Sequence, residues 1–493
     1  MTPQASPHLS YQLASGALLA AAVLIAIACA DPSGPAAERP GLSVMAGADQ
    51  SDTALARLPS ALVVRVRGAD GSLAVGEVVR FESVPNGSPP WTGWVYLANT
   101  TSPTYGTLAT AATDAQGEAT VLLRLGSAAG TGRVAVSAPR LGFQDTVAFT
   151  VLPASAHHLV VVPRDTALYV GRSYSIRGYV ADAYENRRAD SVAYQRLDSG
   201  ITVSAAGGVT GVAYGRSAAL LTAVGTGITD TARVSVVPQG TLAALAGNSS
   251  IFPLNVLVTM NLDGSGVAVV PQSAGDNNYL QWVPDGTSLL FYRGRFSGHL
   301  YTLSLTGALA RLVQPVGFAE DNWGRFAAGG SYVYFRGGRA EGGPGYIWRI
   351  RPDGTGLDSL HLGVGTQPAP SPDGTRVAYV DAAGALHVYD VGTATDVPLG
   401  VGGWAPHWSP DGAWIAFDDG QTGLLSVVRP DGTESRVLAS SGTFEWSFDW
   451  SPDSRWLLGF GLARGSLCVI QVATGLTLPL PFTPGLWMPT WKP

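Results

Sequence analysis

The chain has 493 residues, of which 62 are Gly and 33 are Pro, while charged residues make up only 13%. This composition is typical of short strands joined by tight turns, argues against long helices, and at 46% apolar residues excludes wholesale disorder. The net charge of −6 predicts no nucleic-acid partner. Because the only lysine is Lys492, neither a P-loop lysine nor a Schiff-base lysine lies upstream of it.

An uncharged apolar segment, Leu13 to Ala28, precedes Cys29. It is short for a membrane-spanning helix, which needs about 20 residues, and is typical of a signal peptide. We therefore predict a signal peptide over residues 1–28 and a flexible tether over 29–44.

The residues Ala26-Ile27-Ala28-Cys29 resemble a bacterial lipobox, in which the cysteine is lipidated and becomes the mature N-terminus. Ala26 stands where Leu is preferred, and no Lys or Arg precedes the segment. An uncleaved anchor and ordinary secretion are the alternatives. The resemblance implies a lipid anchor on Cys29 in the bacterial cell envelope. The residue directly after Cys29 is Ala30. By this resemblance, the lack of Asp at that position favours an outer-membrane lipoprotein that is periplasmic or surface-exposed.

Alternating apolar residues begin near Ser60. Leu62, Val64 and Val66 share one face of a predicted strand, and turn signals follow at short intervals. This pattern predicts an antiparallel sandwich. Residues 45–152 resemble the group 1 bacterial Ig-like domains of invasin and intimin, through the turn 114–117 and the strand after it.

Residues 153–239 resemble the group 2 bacterial Ig-like domain. The matching segments are Leu159 to Pro163, Val170 to Arg172 and Gly208 to Ala213. For both domains two interpretations are open. They are spacers that hold the C-terminal domain away from the membrane, or they bind a partner as an adhesin does.

A repeat fills residues 240–493. Its copies begin at Trp282, Phe326, Pro370, Trp408, Trp450 and Trp491, at intervals of 38 to 44 residues, and the clearest copy reads Trp408-Ser409-Pro410-Asp411-Gly412. The repeat aspartates are interpreted as turn residues that accept backbone N–H groups. A unit of about 42 residues with four short strands is typical of a propeller blade.

These residues resemble the TolB-like propeller family, with its Trp-Ser-Pro-Asp-Gly signature, which implies six blades. The last copy stops after one strand, and the first unit lacks that strand. We therefore expect Pro489 to Trp491 to pair with Leu242 to Leu245 and close the ring. The predicted fold is all-β, with two Ig-like β-sandwiches followed by a six-bladed β-propeller closed by the C-terminal strand.

Aromatic residues stand three or four positions before most copies of the repeat, where we expect them at one mouth of the channel. With their polar neighbours they form the predicted ligand-binding set: Tyr279, Trp323, Gln367, Trp404, His407, Glu445, Trp446 and Trp487. Aromatic side chains with a few polar groups suit a peptide or sugar ligand. The alternative is that they pack between adjacent blades.

Catalytic motifs are absent from the sequence, which has no Gly-x-Ser-x-Gly, His-Glu-x-x-His or P-loop. His299, His361, His387 and His407 fall at different phases of the repeat, so we predict no metal site and no cofactor. Cys468 lies in an apolar strand and is predicted to be a buried thiol.

The preferred hypothesis is a non-enzymatic, monomeric lipoprotein whose propeller binds an envelope protein or glycan. One alternative is a polysaccharide- or peptide-degrading enzyme acting at the channel mouth, with Glu320, Asp321, His407 and Glu445 as candidates. The other is an adhesin acting through its Ig-like domains.

Overall fold

The computed structural model describes residues 39–85, 95–247, 255–294, 298–312, 317–340, 343–420, 422–438, 448–460, 466–481, 483 and 485–493. The signal peptide and Cys29 lie outside these residues, as do Glu445 and Trp446. The described residues form strands and turns, with one short 3₁₀ helix at Ala328–Gly330 and no α-helix. They hold no helix with the length and apolarity that a bilayer crossing requires.

The chain divides into two compact units, an N-terminal unit up to Leu152 and a C-terminal unit from Pro153. Two five-stranded sheets, in the orders β1-β3-β8-β5-β6 and β2-β10-β9-β4-β7, build the N-terminal unit. Its strands are β1 (Gly41–Ala46), β2 (Ser51–Thr53), β3 (Leu62–Arg67), β4 (Val78–Val84), β5 (Val95–Asn99), β6 (Ser102–Gly106), β7 (Leu108–Ala112), β8 (Glu118–Leu125), β9 (Gly130–Ala138) and β10 (Phe143–Leu152).

Strand β3 shows why these sequences fold as sheets. Leu62, Val64 and Val66 are buried, while Arg65 lies on the opposite face and pairs with Glu118 of β8 at 2.6 Å between Nη2 and Oε1. This is the alternation that the sequence predicted for a strand with one face in the core. The interpretation of these sheets as an Ig-like sandwich stays a prediction.

Sheets of two, four and three strands begin the C-terminal unit, in the orders β11-β14, β12-β19-β18-β15 and β13-β17-β16. Leu159, Val180, Ile201, Leu221 and Val234 lie in their shared core. The strands are β11 (Ala156–Val162), β12 (Asp165–Tyr169), β13 (Ser173–Ser175), β14 (Arg177–Asp182), β15 (Val192–Arg196), β16 (Ile201–Val203), β17 (Gly208–Gly211), β18 (Gly215–Ala223) and β19 (Thr229–Val237).

Antiparallel four-stranded sheets follow. Their strands are β20 (Thr241–Ala246), β21 (Val256–Asn261), β22 (Ala268–Val269), β23 (Asn277–Trp282), β24 (Ser288–Arg293), β25 (His299–Ser304), β26 (Leu309–Arg311), β27 (Glu320–Phe326), β28 (Val333–Gly338), β29 (Gly345–Ile350), β30 (Asp358–Ser359), β31 (Gly365–Pro370), β32 (Arg376–Asp381), β33 (Ala385–Asp390), β34 (Thr395–Trp408), β35 (Ile415–Asp419), β36 (Leu425–Val428), β37 (Ser435–Val437), β38 (Phe448–Trp450), β39 (Trp456–Phe460), β40 (Leu467–Gln471), β41 (Thr477–Leu480) and β42 (Leu486–Trp491).

Most of these sheets contain consecutive strands, such as β23 to β26, β27 to β30 and β38 to β41, whereas β20 to β22 are joined by β42. The sheets β31 to β34 and β34 to β37 are fused, because β34 closes one sheet and opens the next. The last strand pairs with the start of the repeat region, with Leu242 opposite Trp491 and Ala243 opposite Thr490. This pairing was predicted from the incomplete first and last copies, and it is confirmed.

The repeat aspartates act as turn residues, as predicted. Asp373 Oδ1 accepts hydrogen bonds from Ser371 Oγ at 2.5 Å and from the backbone N–H of Thr375 at 3.0 Å. The same hydroxyl-to-carboxylate bond recurs between Ser409 and Asp411 and between Ser451 and Asp453. The hydrogen bond from Ser371 is the main reason that the pKa of Asp373 lies below its usual value. These carboxylates are therefore engaged within their own turns.

A shared apolar cluster joins the two parts of the C-terminal unit. Ala167 of β12 and Val237 of β19 pack in one buried cluster with Leu242, Trp456 and Trp491. The Tyr169 hydroxyl donates a hydrogen bond to the backbone oxygen of Gly240 at 3.2 Å. The end of the β11–β19 segment is thus packed against the sheets that follow it.

Candidate functional site

One strand from each group of four paired strands lines a common channel, and we call these six strands the first strands. Residues of β23, β27, β31, β34, β38 and β42 all line a single cavity. Most of these strands carry a bulge, at which one residue adopts the left-handed conformation: Tyr279 (φ 51°), Trp323 (φ 55°), Gln367 (φ 54°), Ala405 (φ 49°) and Met488 (φ 47°). A left-handed non-glycine residue is uncommon, and its recurrence marks equivalent positions. We call this the bulge end of the channel.

Two predicted rim residues pack between neighbouring sheets at the bulge end. The ring centroids of Tyr279 and Trp323 lie 3.7 Å apart, and Tyr279 also stacks on Tyr292 at 5.3 Å. Gln367 is buried, and its Oε1 accepts the backbone N–H of Ala405 at 2.7 Å. The packing interpretation therefore describes these side chains.

Trp404 and Trp487 precede the left-handed residue by one position. Ala405 and Met488 occupy the points equivalent to Tyr279 and Trp323, so the expectation that all the aromatic residues stand at equivalent points is wrong for these two tryptophans. Trp404 and Trp487 stand four positions before their copies of the repeat, whereas Tyr279 and Trp323 stand three positions before theirs, and the bulge makes this one-residue difference decisive. Trp404 is 39% exposed, whereas Trp487 packs against a buried cluster.

A second ring of side chains lies deeper, at the position immediately before each copy of the repeat. This channel ring consists of Gln281, Arg325, Ala369, His407, Asp449 and Thr490. Four of its members line the cavity, namely Gln281, Arg325, His407 and Asp449. Arg325 and Asp449 were missed in the sequence, although this position is polar in every copy except the one with Ala369.

Three members of the channel ring form a chain of contacts across it. Arg325 Nη1 donates to His407 Nε2 at 2.6 Å, from β27 to β34, although β31 lies between those strands in the sequence. A guanidinium can only donate, so His407 Nε2 is the acceptor and the ring proton is assigned to Nδ1. Nδ1 lies 3.3 Å from both Asp449 Oδ1 and the backbone oxygen of Phe448.

The carboxylate of Asp449 is held by the last strand. Its Oδ2 accepts hydrogen bonds from Thr490 Oγ1 at 2.5 Å and from the backbone N–H of Trp491 at 2.8 Å. Its Oδ1 accepts the backbone N–H of Trp450 at 2.8 Å. The network therefore depends on β42, which completes both the sheet and the channel ring.

Burial dominates the electrostatics of this network. It lowers the pKa of His407 well below the usual value, and the positive charge of Arg325 lowers that pKa further. Burial raises the pKa of Asp449, while hydrogen bonding by Thr490 and the charge of Arg325 oppose the rise. His407 is consequently neutral near pH 7, and the network is a fixed structure of charged Arg325, neutral imidazole and tightly bonded carboxyl group.

The space that remains at the bulge end is small. The cavity between the bulge residues and the channel ring has a volume of about 30 Å³. A volume of ~10–15 Å³ holds one water molecule, so there is room for about two. Arg325 and His407, which both line this cavity, are in direct contact with each other.

Glu320 and Asp321, the candidate catalytic carboxylates, are both engaged. Glu320 Oε1 pairs with Arg336 Nη1 at 2.5 Å. The side chain of Asp321 is fully buried, accepts the backbone N–H of Leu300 at 2.7 Å and lies 2.6 Å from His299 Nδ1. Within the described residues, no three His, Cys, Asp or Glu side chains are grouped so that they could hold a metal ion.

No protein-family model matches the chain, and no curated protein matches it. Among solved structures, the chain is similar to TolB from Acinetobacter baumannii, with 16% identity and a TM-score of 0.44, over 61% of this chain and 83% of that one. It is similar to a nidogen/laminin complex at 12% identity and a TM-score of 0.39, covering 52% and 99% of the two chains. An oligogalacturonate lyase in complex with manganese aligns at 16% identity and a TM-score of 0.32, over 49% and 72%.

Proposed function

We propose that this chain is a non-enzymatic lipoprotein of the bacterial cell envelope, anchored through Cys29. Two Ig-like sandwiches act as spacers, and the C-terminal half is a six-bladed, TolB-like propeller closed by its last strand. The rim at the bulge end of the channel binds a protein or glycan partner. The four-stranded sheets around one channel and the pairing of β20 with β42 support the closed ring.

The closure of the channel behind the rim carries this proposal. A site that encloses a small molecule typically offers about 300–1,000 Å³. The cavity of about 30 Å³ is far below that range, because Arg325, His407 and their neighbours fill the channel. A ligand at this end is therefore held on the rim, as the surface of a larger partner is held.

The engaged carboxylates favour binding over catalysis. A general acid or base must reach the substrate proton that it transfers. Glu320 is paired with Arg336, and Asp321 bonds the Leu300 backbone and lies against His299. Breaking either buried arrangement to free a carboxylate would cost stability.

Trp404 is the residue on which the rim proposal is tested. It is a large aromatic side chain exposed at the bulge end, and tryptophan is enriched among the residues that dominate binding energy. We expect Trp404→Ala to weaken capture of the envelope partner by about thirtyfold, the equivalent of ~2 kcal/mol. The thermal midpoint should change little.

The measurement is a pull-down from envelope extracts, followed by titration of the captured species. Tyr346→Ala is the matched control, because Tyr346 is 41% exposed but lies on β29, away from the first strands. Equal capture by both variants would contradict the rim proposal. Turnover of a glycan or peptide by the purified protein would contradict the non-enzymatic role, and Cys29→Ser should release the protein from membranes.

A further inference from the structure

Two consecutive histidines near the start of β11 bring their rings into contact. The Nδ1 atoms of His157 and His158 lie 3.3 Å apart, and the ring planes cross at 88°. His157 is exposed and the side chain of His158 is 36% exposed, so ions in solution can reach the pair. Successive side chains of a regular strand point to opposite faces of the sheet, so this contact has a local cause.

The cause is a β-bulge. In the pairing of β11 with β14, Ala156 lies opposite Asp182 and His158 lies opposite Ala181, so His157 is an extra residue on β11. An extra residue of this kind bends the strand and changes the direction of its side chain, and bulges are frequent beside functional sites. Here the bulge places the two Nδ1 atoms next to each other.

The second ring nitrogen of His158 faces a carboxylate. Nε2 of His158 lies 3.4 Å from Oε2 of Glu185. A carboxylate at this position favours the tautomer with its proton on Nε2, which leaves the lone pair of Nδ1 for another partner. Metal-binding histidines typically have their second ring nitrogen against a carboxylate, a carbonyl or water.

A buried aspartate holds the turn that carries Glu185. Asp182 Oδ1 accepts the backbone N–H groups of Tyr184 at 2.8 Å and Asn186 at 2.9 Å. Its Oδ2 accepts the backbone N–H of Ala154 at 2.7 Å, which ties the turn to the segment just before the two histidines. Glu185 lies inside this turn in the left-handed conformation, at φ 66°. The backbone of Glu185 is thus fixed beside β11.

The separation of the two Nδ1 atoms fits a tetrahedral metal ion. Two imidazole nitrogens bound to Zn²⁺ at about 2.0–2.1 Å, with a tetrahedral angle between the bonds, lie about 3.3–3.4 Å apart. The same bonds at the right angle of a square-planar ion would place the nitrogens only about 2.8–3.0 Å apart. The observed 3.3 Å matches the tetrahedral ion. Imidazole suits Zn²⁺, whereas Ca²⁺ and Mg²⁺ prefer oxygen ligands.

We propose that His157 and His158 bind one Zn²⁺ ion through their Nδ1 atoms, with Glu185 as the outer partner of His158. Two protein ligands leave two positions of the tetrahedron for water molecules. The site therefore needs no group of three ligand side chains, and none is present within the described residues. It goes beyond the rim proposal, because it belongs to the β11–β14 pair and not to the channel.

The test is calorimetric titration of the purified full-length protein, without a histidine tag, with Zn²⁺. We expect one saturable site that is lost in His157→Ala and in His158→Ala, and about tenfold weaker binding in Glu185→Gln, because outer partners of metal-bound histidines contribute to affinity. His361→Ala is the matched control, since His361 is also exposed but lies outside the pair. Its Zn²⁺ affinity should equal that of the unchanged protein, and circular dichroism should show that every variant is folded.

Three results would overturn the proposal. The first is no binding of Zn²⁺ at submillimolar concentration, which would leave the pair as a hydrogen bond between two imidazoles. The second is equal Zn²⁺ affinity of His158→Ala and the unchanged protein. The third is displacement of Zn²⁺ by equimolar Ca²⁺, which would assign the site to oxygen ligands. Unchanged affinity in Glu185→Gln would contradict the role given to that carboxylate. Trp404→Ala should leave Zn²⁺ affinity unchanged, so failure of the rim proposal and failure of this one are distinguishable.

Discussion

Removal of the last strand should destabilise the ring more than any surface change. Trp491 is buried in the cluster that also contains Leu242 and Trp456. Truncating a buried tryptophan to alanine costs about 3–5 kcal/mol, and a typical domain is stable by only ~5–15 kcal/mol. Trp491→Ala alone should therefore remove a large part of the stability of the C-terminal unit.

Deletion of residues 486–493 should have a larger effect. It also removes the β20–β42 pairing and two hydrogen bonds that hold the channel ring, because Thr490 Oγ1 and the backbone N–H of Trp491 both donate to Asp449. We expect the urea midpoint, followed by tryptophan fluorescence and circular dichroism, to fall sharply. A synthetic peptide of residues 486–493 should restore part of the loss.

Lys492→Ala is the control for this experiment. Lys492 follows the strand, and its Nζ lies 5.2 Å from the centroid of the Trp282 ring. The loss of such a cation–π contact should cost no more than ~1 kcal/mol. If the deletion variant unfolds at the same urea concentration as the full chain, the closing role of the last strand is refuted.

Three further predictions concern buried ionisable groups. Folding lowers the pKa of His407, so at acidic pH the unfolded chain binds a proton that the folded chain does not. The free energy of unfolding should therefore fall as the pH drops below about 6.5, by up to ~1.4 kcal/mol per pH unit. His407→Gln should flatten that part of the plot of urea midpoint against pH. Glu320→Gln should cost about 3–5 kcal/mol in urea denaturation, because it removes the buried negative charge that pairs with the partly buried Arg336, whereas Glu434→Gln, which breaks an exposed pair, should cost less than ~1 kcal/mol. Burial raises the pKa of Cys468 to about 12, so in a Cys29→Ser chain a thiol reagent at pH 8 should react only after unfolding; rapid labelling of the native protein would contradict this.

The repeat was visible in the sequence because its turns need particular residues. Asp373, Asp411 and Asp453 all accept a serine hydroxyl, and Gly374 and Gly412 adopt positive φ at 72° and 70°. Where the fifth copy has Ser454 in place of glycine, φ is still 60°, so the turn keeps its form. Because the turn needs these residues, they recur in the sequence and show where each copy of the repeat begins.

The channel network could not be predicted in the same way. Arg325 and His407 are 82 residues apart, and their contact arises only when the first strands surround a common channel. The one-residue error at Trp404 and Trp487 has a related cause, because a bulge adds a residue that alternation alone does not reveal. The small cavity at the bulge end likewise depends on side-chain lengths across the ring.

The 14 residues of β34 have a mechanical consequence. Residues 395–402 of this strand pair with β33 and residues 403–408 pair with β35, so loss of pairing that spreads along β34 from one sheet reaches the other. Amide hydrogen exchange in β31 to β37 should therefore report a single cooperative opening. Relative motion of neighbouring sheets should occur instead at the junctions that are spanned by turns. Proteolytic cleavage inside β34 should weaken the strand pairing of two sheets at once.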